Sequence, residues 1–385
     1  MKYILMDLLE CPFCRTFPFE LVEPESKEVQ PLPTPPGEDK PLGCREYCAH
    51  RGAALDASAG GCGKCWSTEV QRGLLRCRGC RRRFPIEDGI ASILPDQYRG
   101  HGQVAGLEDF QQLPPDDCAA PAAQPSFNQS REIEVRDRES SIYDSRYSQE
   151  RFRAEMETYQ RLFQPPPQAR VLELGCGTGR ITQRVVDRCG LLLAVDFSRQ
   201  SLLMTRRRIN PAPGVGLELL QADAGWLPLR AAVFDQLLSI GMFCNLPAEL
   251  HQVVRFSLVR ALKDGGVLIL SAYNYPWIHQ LRGLFGATQT GRKQGQRPDG
   301  LSYYNFNAQE LRGLLEPYFD ILELVGTDNR LPLLQQLSDR LSARIDQALT
   351  GNRWALRLCA RELTVKAIKK GPASASKPLS LSAPS

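Results

Sequence analysis

The sequence contains no long apolar run. No stretch of its 385 residues reaches the ~18 apolar residues that a membrane-spanning helix needs. The first ten residues are too short and too acidic for a secretory signal. The formal net charge of +5 permits an RNA partner but is small for a dedicated nucleic-acid binder, which concentrates basic residues on one face. We therefore expect a cytoplasmic protein, in which disulfides are rare.

Cysteine, by contrast, is concentrated at the N-terminal end of the chain. Eight of the 13 cysteines lie before residue 81. They form three C-x2-C pairs and one C-x3-C pair, namely Cys11 with Cys14, Cys62 with Cys65, Cys77 with Cys80, and Cys44 with Cys48. Two such pairs can hold zinc tetrahedrally, with a binding energy of ~10–16 kcal/mol in small modules. The region is rich in proline and glycine, so metal would supply order that a small core cannot. Buried, unliganded cysteines are the alternative.

A glycine cluster lies at the centre of the remaining chain. The apolar run Val171–Leu174 enters Gly175, Gly177 and Gly179, and a helical pattern follows. This order predicts a strand, a tight turn and a helix N-terminus, which together cradle nucleotide-like ligands in open α/β sheets. A dinucleotide-binding loop needs its last glycine where this chain has Arg180, so an NAD-dependent oxidoreductase is disfavoured.

The glycine cluster and the runs that follow it resemble class I S-adenosylmethionine (SAM) methyltransferases. Glu173 begins E-L-G-C-G-T-G, which is similar to the first motif of that family. The next run ends at Asp196, near the ~20-residue spacing at which a carboxylate meets ribose hydroxyls. Later runs lead to Asp223, form a fourth strand at 234–239, and match the family's L-K-P-G-G turn and fifth strand at 262–270, with aspartate in place of proline. The resemblance covers 131–370.

The resemblance implies the fold and the cofactor site. The expected fold is α/β: a Rossmann-like, seven-stranded methyltransferase sheet with helices on both faces, whose last strand (361–368) runs antiparallel between the fifth and sixth. Glu173 and the glycine loop would hold the methionine moiety, Asp196 the ribose hydroxyls and Asp223 the adenine. The full set of expected cofactor-binding residues is Glu173, Gly175, Cys176, Gly177, Gly179, Asp196, Phe197, Asp223 and Ala224.

The N-terminal ribbon, residues 1–98, resembles the small zinc-ribbon activator subunits of tRNA and rRNA methyltransferases. The matching stretches are 7–14, 77–80 and 84–95. The resemblance implies zinc on Cys11, Cys14, Cys77 and Cys80. This chain departs from the family in a long insert, about 15–76, which carries Cys44, Cys48, Cys62 and Cys65. The insert would hold a second zinc or supply the true partners of the first pair, and spacing leaves both open.

The ribbon and the methyltransferase domain lie on one chain. We expect the ribbon to dock in cis on the methyltransferase domain and to stabilise it; a tethered ribbon that recruits substrate is the alternative. The expected organisation is the ribbon at 1–98, a flexible linker at 99–130, the methyltransferase domain at 131–370 and a disordered tail at 371–385. The arginines at 78 and 81–83 would meet phosphates or form a solvated face.

The sequence says least about the identity of the methyl acceptor. The segment 239–245 lacks the D/N-P-P-Y motif of enzymes that methylate planar amino groups, and Cys244 lacks the Pro-Cys context of a cytosine-C5 nucleophile. Tyr273 and Asn274, after the fifth strand, are candidates for acceptor contacts, and Tyr143 for the SAM pocket. His251 and His279 would be bases or ordinary histidines.

Two further segments have an expected role, and the chain as a whole has an expected function. Residues 275–301 would form part of an acceptor lid, and 331–350 an amphipathic helix on the sheet or at a membrane surface. The expected function is methyl transfer from SAM to a small-molecule or lipid-like acceptor. The alternatives are a tRNA or rRNA methyltransferase with its activator fused in cis, and a non-catalytic protein that binds SAM or serves as a scaffold.

Overall fold

A computed structural model gives the architecture of the chain. It describes residues 1–29, 44–55, 63–95, 129–143, 149–210, 216–276, 292–329, 348–349, 354 and 360–371. The expected linker, tail and amphipathic segment, most of the expected lid, Cys62, His279 and the side chain of Tyr143 lie outside this description.

The N-terminal ribbon consists of short strands and one helical turn after a 3-10 turn at Tyr3–Asp7. Its elements are β1 (Glu20–Glu28), β2 (Tyr47–Cys48), β3 (Ala53–Ala54), α1 (Lys64–Ser67), β4 (Thr68–Arg76), β5 (Arg83–Glu87) and β6 (Ile90–Ile93). Strands β1, β4, β5 and β6 pair antiparallel in that order, whereas β2 and β3 form a separate two-stranded ladder.

The rest of the chain alternates strands and helices. Its strands are β7 (Arg170–Leu174), β8 (Leu191–Asp196), β9 (Gly216–Ala222), β10 (Phe234–Ile240), β11 (Leu262–Tyr273), β12 (Gln294–Gln296), β13 (Ser302–Tyr304), β14 (Phe319–Asn329) and β15 (Ala360–Lys369). Its helices are α2 (Gln129–Tyr143), α3 (Gln149–Leu162), α4 (Thr182–Val185), α5 (Arg199–Arg208), α6 (Ala248–Ala261) and α7 (Ala308–Leu315).

Seven of these strands form the expected sheet. Their order is β9-β8-β7-β10-β11-β15-β14, with parallel pairing from β9 to β11 and antiparallel pairing of β15 with both of its neighbours. The antiparallel last strand between the fifth and sixth is therefore confirmed. The chain before the first strand of this sheet forms α2 and α3, with 144–148 outside the description.

The ribbon continues this sheet. β6 pairs in parallel with β9 through Ala91 with Leu220, Ser92 with Gln221 and Ile93 with Ala222. The sheet thus has 11 strands in the order β1-β4-β5-β6-β9-β8-β7-β10-β11-β15-β14. The structure places the ribbon in cis against the larger domain, with main-chain hydrogen bonding between the two.

Successive side chains of a strand point to opposite faces of the sheet, so the core has two layers. Leu172 and Leu193 lie in a cluster that joins the apolar side chains of the ribbon to helix α6. Val171 and Leu192 point to the opposite face, where α3 contributes Tyr159. Because one cluster contains residues of both the ribbon and the sheet, the ribbon shares its hydrophobic core with the larger domain.

Candidate functional site

A cavity lies at the carboxyl ends of β7, β8, β9 and β10, where ligands bind in open parallel sheets. Residues from the glycine loop, from the ends of three further strands and from helices α2 and α6 form its wall. Six of the nine expected cofactor residues are on that wall, namely Gly175, Gly177, Asp196, Phe197, Asp223 and Ala224.

The glycine loop exposes its backbone to the cavity. Gly177 has φ +54°, and a Cβ built there would meet no atom within 4 Å. Gly175 has φ +78°, and its Cβ would lie 2.7 Å from the side chain of Met242. Glycine therefore permits both the left-handed turn and the close approach of the loop to the β10 side of the cavity.

Asp196 is the last residue of β8, and it is hydrogen-bonded to the glycine loop that it faces. Its Oδ2 accepts a hydrogen bond of 2.8 Å from the Gly177 N–H, and its Oδ1 accepts one of 2.9 Å from the Ser198 N–H. Burial raises the pKa of this carboxyl group, although the two N–H donors oppose that shift. The carboxylate is thus fixed in direction at the cavity wall.

Asp223, at the end of the neighbouring strand, organises the next turn. Its Oδ1 accepts a hydrogen bond of 2.6 Å from the Gly225 N–H and caps the 3-10 turn Ala224–Trp226. Because β8 and β9 are adjacent and parallel, Asp196 and Asp223 reach the same edge of the sheet.

Three expected cofactor residues lie behind the wall rather than on it. Glu173 is 2% exposed, its Oε2 lacks a hydrogen-bond partner, and burial raises its pKa to about 8. Cys176 packs with Ala194 and Leu202 under the loop. A Cβ on Gly179 would lie 2.9 Å from the Thr205 side chain, so this glycine serves the packing of the loop on α5.

Helix α2 supplies wall residues that the sequence analysis did not identify. They are Glu132, Arg136, Glu139 and Ser140. Asp137 on the same helix accepts hydrogen bonds from the Ser198 hydroxyl and, at 3.2 Å, from the Gln200 N–H, which anchors α2 to the start of α5. The available signal was the spacing of Glu132, Arg136 and Ser140 on one helical face.

Part of the cavity wall is apolar. It is lined by Ile240, Met242, Leu246, Leu250 and Val254. Asn245 is a polar member of this side, and its amide donates a hydrogen bond of 2.6 Å to the Gly241 carbonyl. This side of the cavity is suited to an apolar ligand.

Tyr273 and Asn274, the expected acceptor contacts, are not among the residues that line this cavity. Asn274 is buried, and its amide donates a hydrogen bond of 2.7 Å to the Ala360 carbonyl, so it joins β11 to β15. Cys244 is fully buried with its pKa raised to about 12, which disfavours a thiolate nucleophile. His251 packs between Tyr304 and Phe306, and burial lowers its pKa.

A second site lies in the ribbon. The sulfurs of Cys11, Cys14, Cys77 and Cys80 all lie within 4.8 Å of one another. The first and last C-x2-C pairs are therefore partners, as the resemblance implied. Four converging thiols at this spacing fit a tetrahedral structural zinc site.

One aromatic ring of the first ribbon turn packs against the 3-10 turn that follows Asp223. Phe13, between Cys11 and Cys14, packs on Trp226 at a centroid distance of 5.8 Å, and the Arg82 guanidinium carbon lies 4.1 Å from the centroid of the Phe13 ring. Trp226 ends the turn that Asp223 caps. The first ribbon turn thus supports the turn at the end of β9.

Residues 172–270 match the family described as methyltransferase domain, and residues 2–89 match the Trm112p-like protein family. The chain carries a methyltransferase domain and a Trm112p-like domain. The second match covers the four clustered cysteines and ends just before β6, and the first covers the whole glycine loop and both wall aspartates.

The methyltransferase domain also matches curated proteins. The chain is 26% identical over 123 residues to a ubiquinone/menaquinone biosynthesis C-methyltransferase UbiE from Wigglesworthia glossinidia brevipalpis, covering 31% of this chain and 48% of that protein. It is 32% identical over 114 residues to a 2-phytyl-1,4-naphtoquinone methyltransferase from Thermosynechococcus vestitus, covering 29% and 49%. The chain spans about half the length of the curated relatives it matches.

Solved structures match the chain at low sequence identity and with low TM-scores. A complex of the Haloferax volcanii Trm112 methyltransferase activator with a methyltransferase gives a TM-score of 0.43 at 17% identity, covering 61% of this chain and 98% of that chain. A SAM-dependent methyltransferase from Archaeoglobus fulgidus gives a TM-score of 0.41 at 14% identity, covering 58% of this chain and 96% of that chain.

Among the helices of the described ranges, none has the length and apolar character to span a bilayer.

Proposed function

We propose that this protein is a SAM-dependent methyltransferase that acts on a small, largely apolar acceptor, and that its Trm112p-like domain supports the methyltransferase domain in cis. One observation carries the proposal: Asp196 and Asp223, at the ends of adjacent parallel strands, share a cavity wall with the exposed backbone of Gly177. The cytoplasmic location expected from the sequence stays a prediction.

The wall residues fit SAM chemically. The open side of Gly177 leaves room for a ligand against the main chain, and two carboxylates offer acceptors for ribose hydroxyls and an adenine amino group. Arg136 is the one basic side chain on the wall in the part of the chain that the structure describes, and it suits the cofactor's carboxylate. Glu173, buried behind the loop, would act through the position of the loop.

The residues of the cavity would act mainly by holding the reactants. SAM, when bound, supplies a methyl group on a good leaving group, so positioning and exclusion of water are the main tasks left to the protein. Helix α2 covers one side of the cavity, and the apolar side chains of Met242, Leu246 and Leu250 would receive the acceptor. The curated relatives, whose names refer to quinones and their biosynthesis, support a small aromatic acceptor.

Two other functions remain as candidates. The Trm112p-like match and the exposed side chains of Arg78, Arg81 and Arg83 favour an RNA acceptor as the second candidate, whereas Arg82 is buried against Phe13. A non-catalytic SAM-binding or scaffold protein would keep the cofactor wall without an acceptor.

The cofactor assignment can be tested by calorimetric titration with SAM and with NADH. We expect SAM to bind and NADH not to bind. Asp196→Asn should weaken SAM binding by about 10- to 100-fold, because a hydrogen bond to a charged group contributes ~1.5–3 kcal/mol. The exposed Asp187 provides the matched control Asp187→Asn, which should leave affinity unchanged. Equal loss of affinity in both variants, or unchanged affinity in Asp196→Asn, would contradict the assignment.

The acceptor class requires a separate assay. Labelled methyl groups from SAM should appear in hydroxylated naphthalene or benzene acceptors rather than in total RNA. If RNA is labelled instead, its binding should weaken steeply with salt, because phosphate contacts release counterions. Tight SAM binding with no labelled product in either pool would favour the non-catalytic reading.

A further inference from the structure

The insert of the ribbon contains a second group of thiols. The sulfurs of Cys48 and Cys65 lie 3.8 Å apart, and the Cys44 thiol is near enough to Cys65 to interact with it electrostatically. Cys48 is 1% exposed and Cys65 is 2% exposed, and the Cys44 side chain is half-buried. These three residues come from two separate stretches of sequence, so their convergence is a product of the fold.

The backbone around this group is fixed by a buried carboxylate. Asp7 is 0% exposed and accepts three hydrogen bonds from consecutive N–H groups, those of Arg45 at 2.6 Å, Glu46 at 3.0 Å and Tyr47 at 2.8 Å. These three residues separate Cys44 from Cys48. The carboxylate therefore sets the path of the C-x3-C loop and with it the approach of the two thiols.

The other side of the group is fixed by packing. Cys65 lies in the single turn of α1, and Trp66 beside it is 3% exposed. A Cβ on Gly216 would lie 2.5 Å from the Trp66 ring, so this ring packs closely against the first residue of β9. The thiol group thus lies near the amino end of β9, whereas the cavity lies at the carboxyl end of the same strand.

Other roles for these thiols fit the surroundings less well. β2 and β3 have two residues each, so the described stretch 44–55 has little regular structure that could bury cysteines for their apolar surface alone. A disulfide joins two sulfurs at ~2.05 Å and would leave the third thiol of the group unpaired. A group of neighbouring thiols suits a soft divalent cation, which takes tetrahedral thiolate ligands at ~2.3 Å.

We propose that the insert holds a second metal ion, of the Zn²⁺ class, on Cys44, Cys48 and Cys65. This ion is structural, because it lies away from the cavity and would tie the C-x3-C loop to α1 at the amino end of β9. It is distinct from the four-cysteine site, and the inference does not depend on methyl transfer. Cys62, two residues before the N-terminus of α1, lies outside the described residues.

The test is the metal content of the purified full-length protein, measured by inductively coupled plasma mass spectrometry against protein concentration. We expect two zinc ions per chain in the wild type. The double variant Cys48→Ser, Cys65→Ser should retain one, and the double variant Cys11→Ser, Cys14→Ser should also retain one. Cys189→Ser, a buried cysteine of the methyltransferase domain, is the matched control and should keep two.

The wild type alone can overturn the inference. A folded wild-type protein that holds one zinc after purification and dialysis in zinc-containing buffer would contradict it, whatever the variants do. So would two zinc ions per chain in the Cys48→Ser, Cys65→Ser variant. Replacement with Co²⁺ gives a second readout, because the thiolate-to-metal absorption should exceed that of a four-thiolate site.

Discussion

Arg136 illustrates how one residue defines a part of the cavity. Its side chain is mostly buried, its Nε has no hydrogen-bond partner, and its ion pair with Glu132 is long at 3.6 Å. A buried guanidinium that is only partly satisfied gains from a carboxylate ligand, because such charge-assisted hydrogen bonds are strong. Arg136 is therefore our candidate for the carboxylate of the methionine moiety.

We expect Arg136→Gln to weaken binding of S-adenosylhomocysteine by about 10- to 100-fold, the equivalent of ~1.5–3 kcal/mol. Binding of 5′-methylthioadenosine, which lacks the carboxylate, should change little. Calorimetry on both ligands gives the comparison. Arg138→Gln, an exposed arginine on the same helix, is the control. If the affinity for both ligands falls by the same factor, Arg136 acts on the structure of α2 and not on the carboxylate.

Glu173 should make stability depend on pH. Burial raises its pKa from 4.5 in the unfolded chain to about 8 in the folded protein. Between these values the folded state keeps a proton that the unfolded state has lost. This contribution to stability is thus complete below about pH 4.5 and is lost as the pH rises towards 8.

In cofactor-free protein, Glu173→Gln should remove this dependence. The free energy of unfolding of the variant minus that of the wild type should rise with pH, by at most ~1.4 kcal/mol per pH unit. Urea denaturation from pH 5 to ~8 measures the difference, with the exposed Glu157→Gln as control. A difference that stays constant across this range would show that Glu173 is ionised in the folded protein.

Strand β6 is the element that joins the two domains. Ile93 is 0% exposed, pairs with Ala222 of β9 and belongs to the core cluster shared by both domains. Ile93→Ala should lower the free energy of unfolding by ~2–5 kcal/mol, the usual cost of a large-to-small change in a core. Urea denaturation monitored by tryptophan fluorescence and by circular dichroism measures this change.

The same experiment tests whether the continuous sheet unfolds as one unit. Wild type and Ile93→Ala should each show one transition that both probes report at the same urea concentration. Ile142→Ala, at a position that is 52% exposed, should change stability little. Two separate transitions in the wild type would mean that the ribbon unfolds independently of the methyltransferase domain.

The sequence predicted the elements with strong periodic patterns and the residues at their ends. Asp196 and Asp223 follow buried strands, and parallel strands bring their ends together, so their meeting at one cavity was predictable. The position of α2 was not, because a cover helix is placed by tertiary contacts such as that of Asp137 with Ser198. Tyr273 and Asn274 were predicted as acceptor contacts from their place at the end of the fifth strand, but side-chain direction at a strand end depends on pairing with β15.

At the scale of the whole molecule, packed side chains connect the ribbon to the turn that follows Asp223 of the cavity wall. Phe13 packs on Trp226, and Trp226 ends the turn that Asp223 begins. Phe13→Leu should keep the apolar contact but lose the ring pairing, which is worth ~0.5–1.5 kcal/mol. We expect SAM affinity to fall by about 2- to 10-fold with zinc content unchanged.

Calorimetry with SAM and metal analysis on the same preparation check this prediction. Phe256→Leu is the matched control, because that ring is 59% exposed on α6. A drop in zinc content together with affinity would show that Phe13 serves the four-cysteine site. Unchanged affinity with intact zinc would show that the turn at Trp226 holds its shape without the ring.

The pairing of β6 with β9 has a consequence for solubility and dosage. Without the ribbon, β9 would be the exposed edge of a parallel sheet, with free N–H and C=O groups and apolar side chains that invite aggregation. On one polypeptide the covering strand is present at a high effective concentration and in a fixed one-to-one ratio, so its docking does not weaken on dilution. A chain built in this way protects its own edge from the moment both parts have been synthesised.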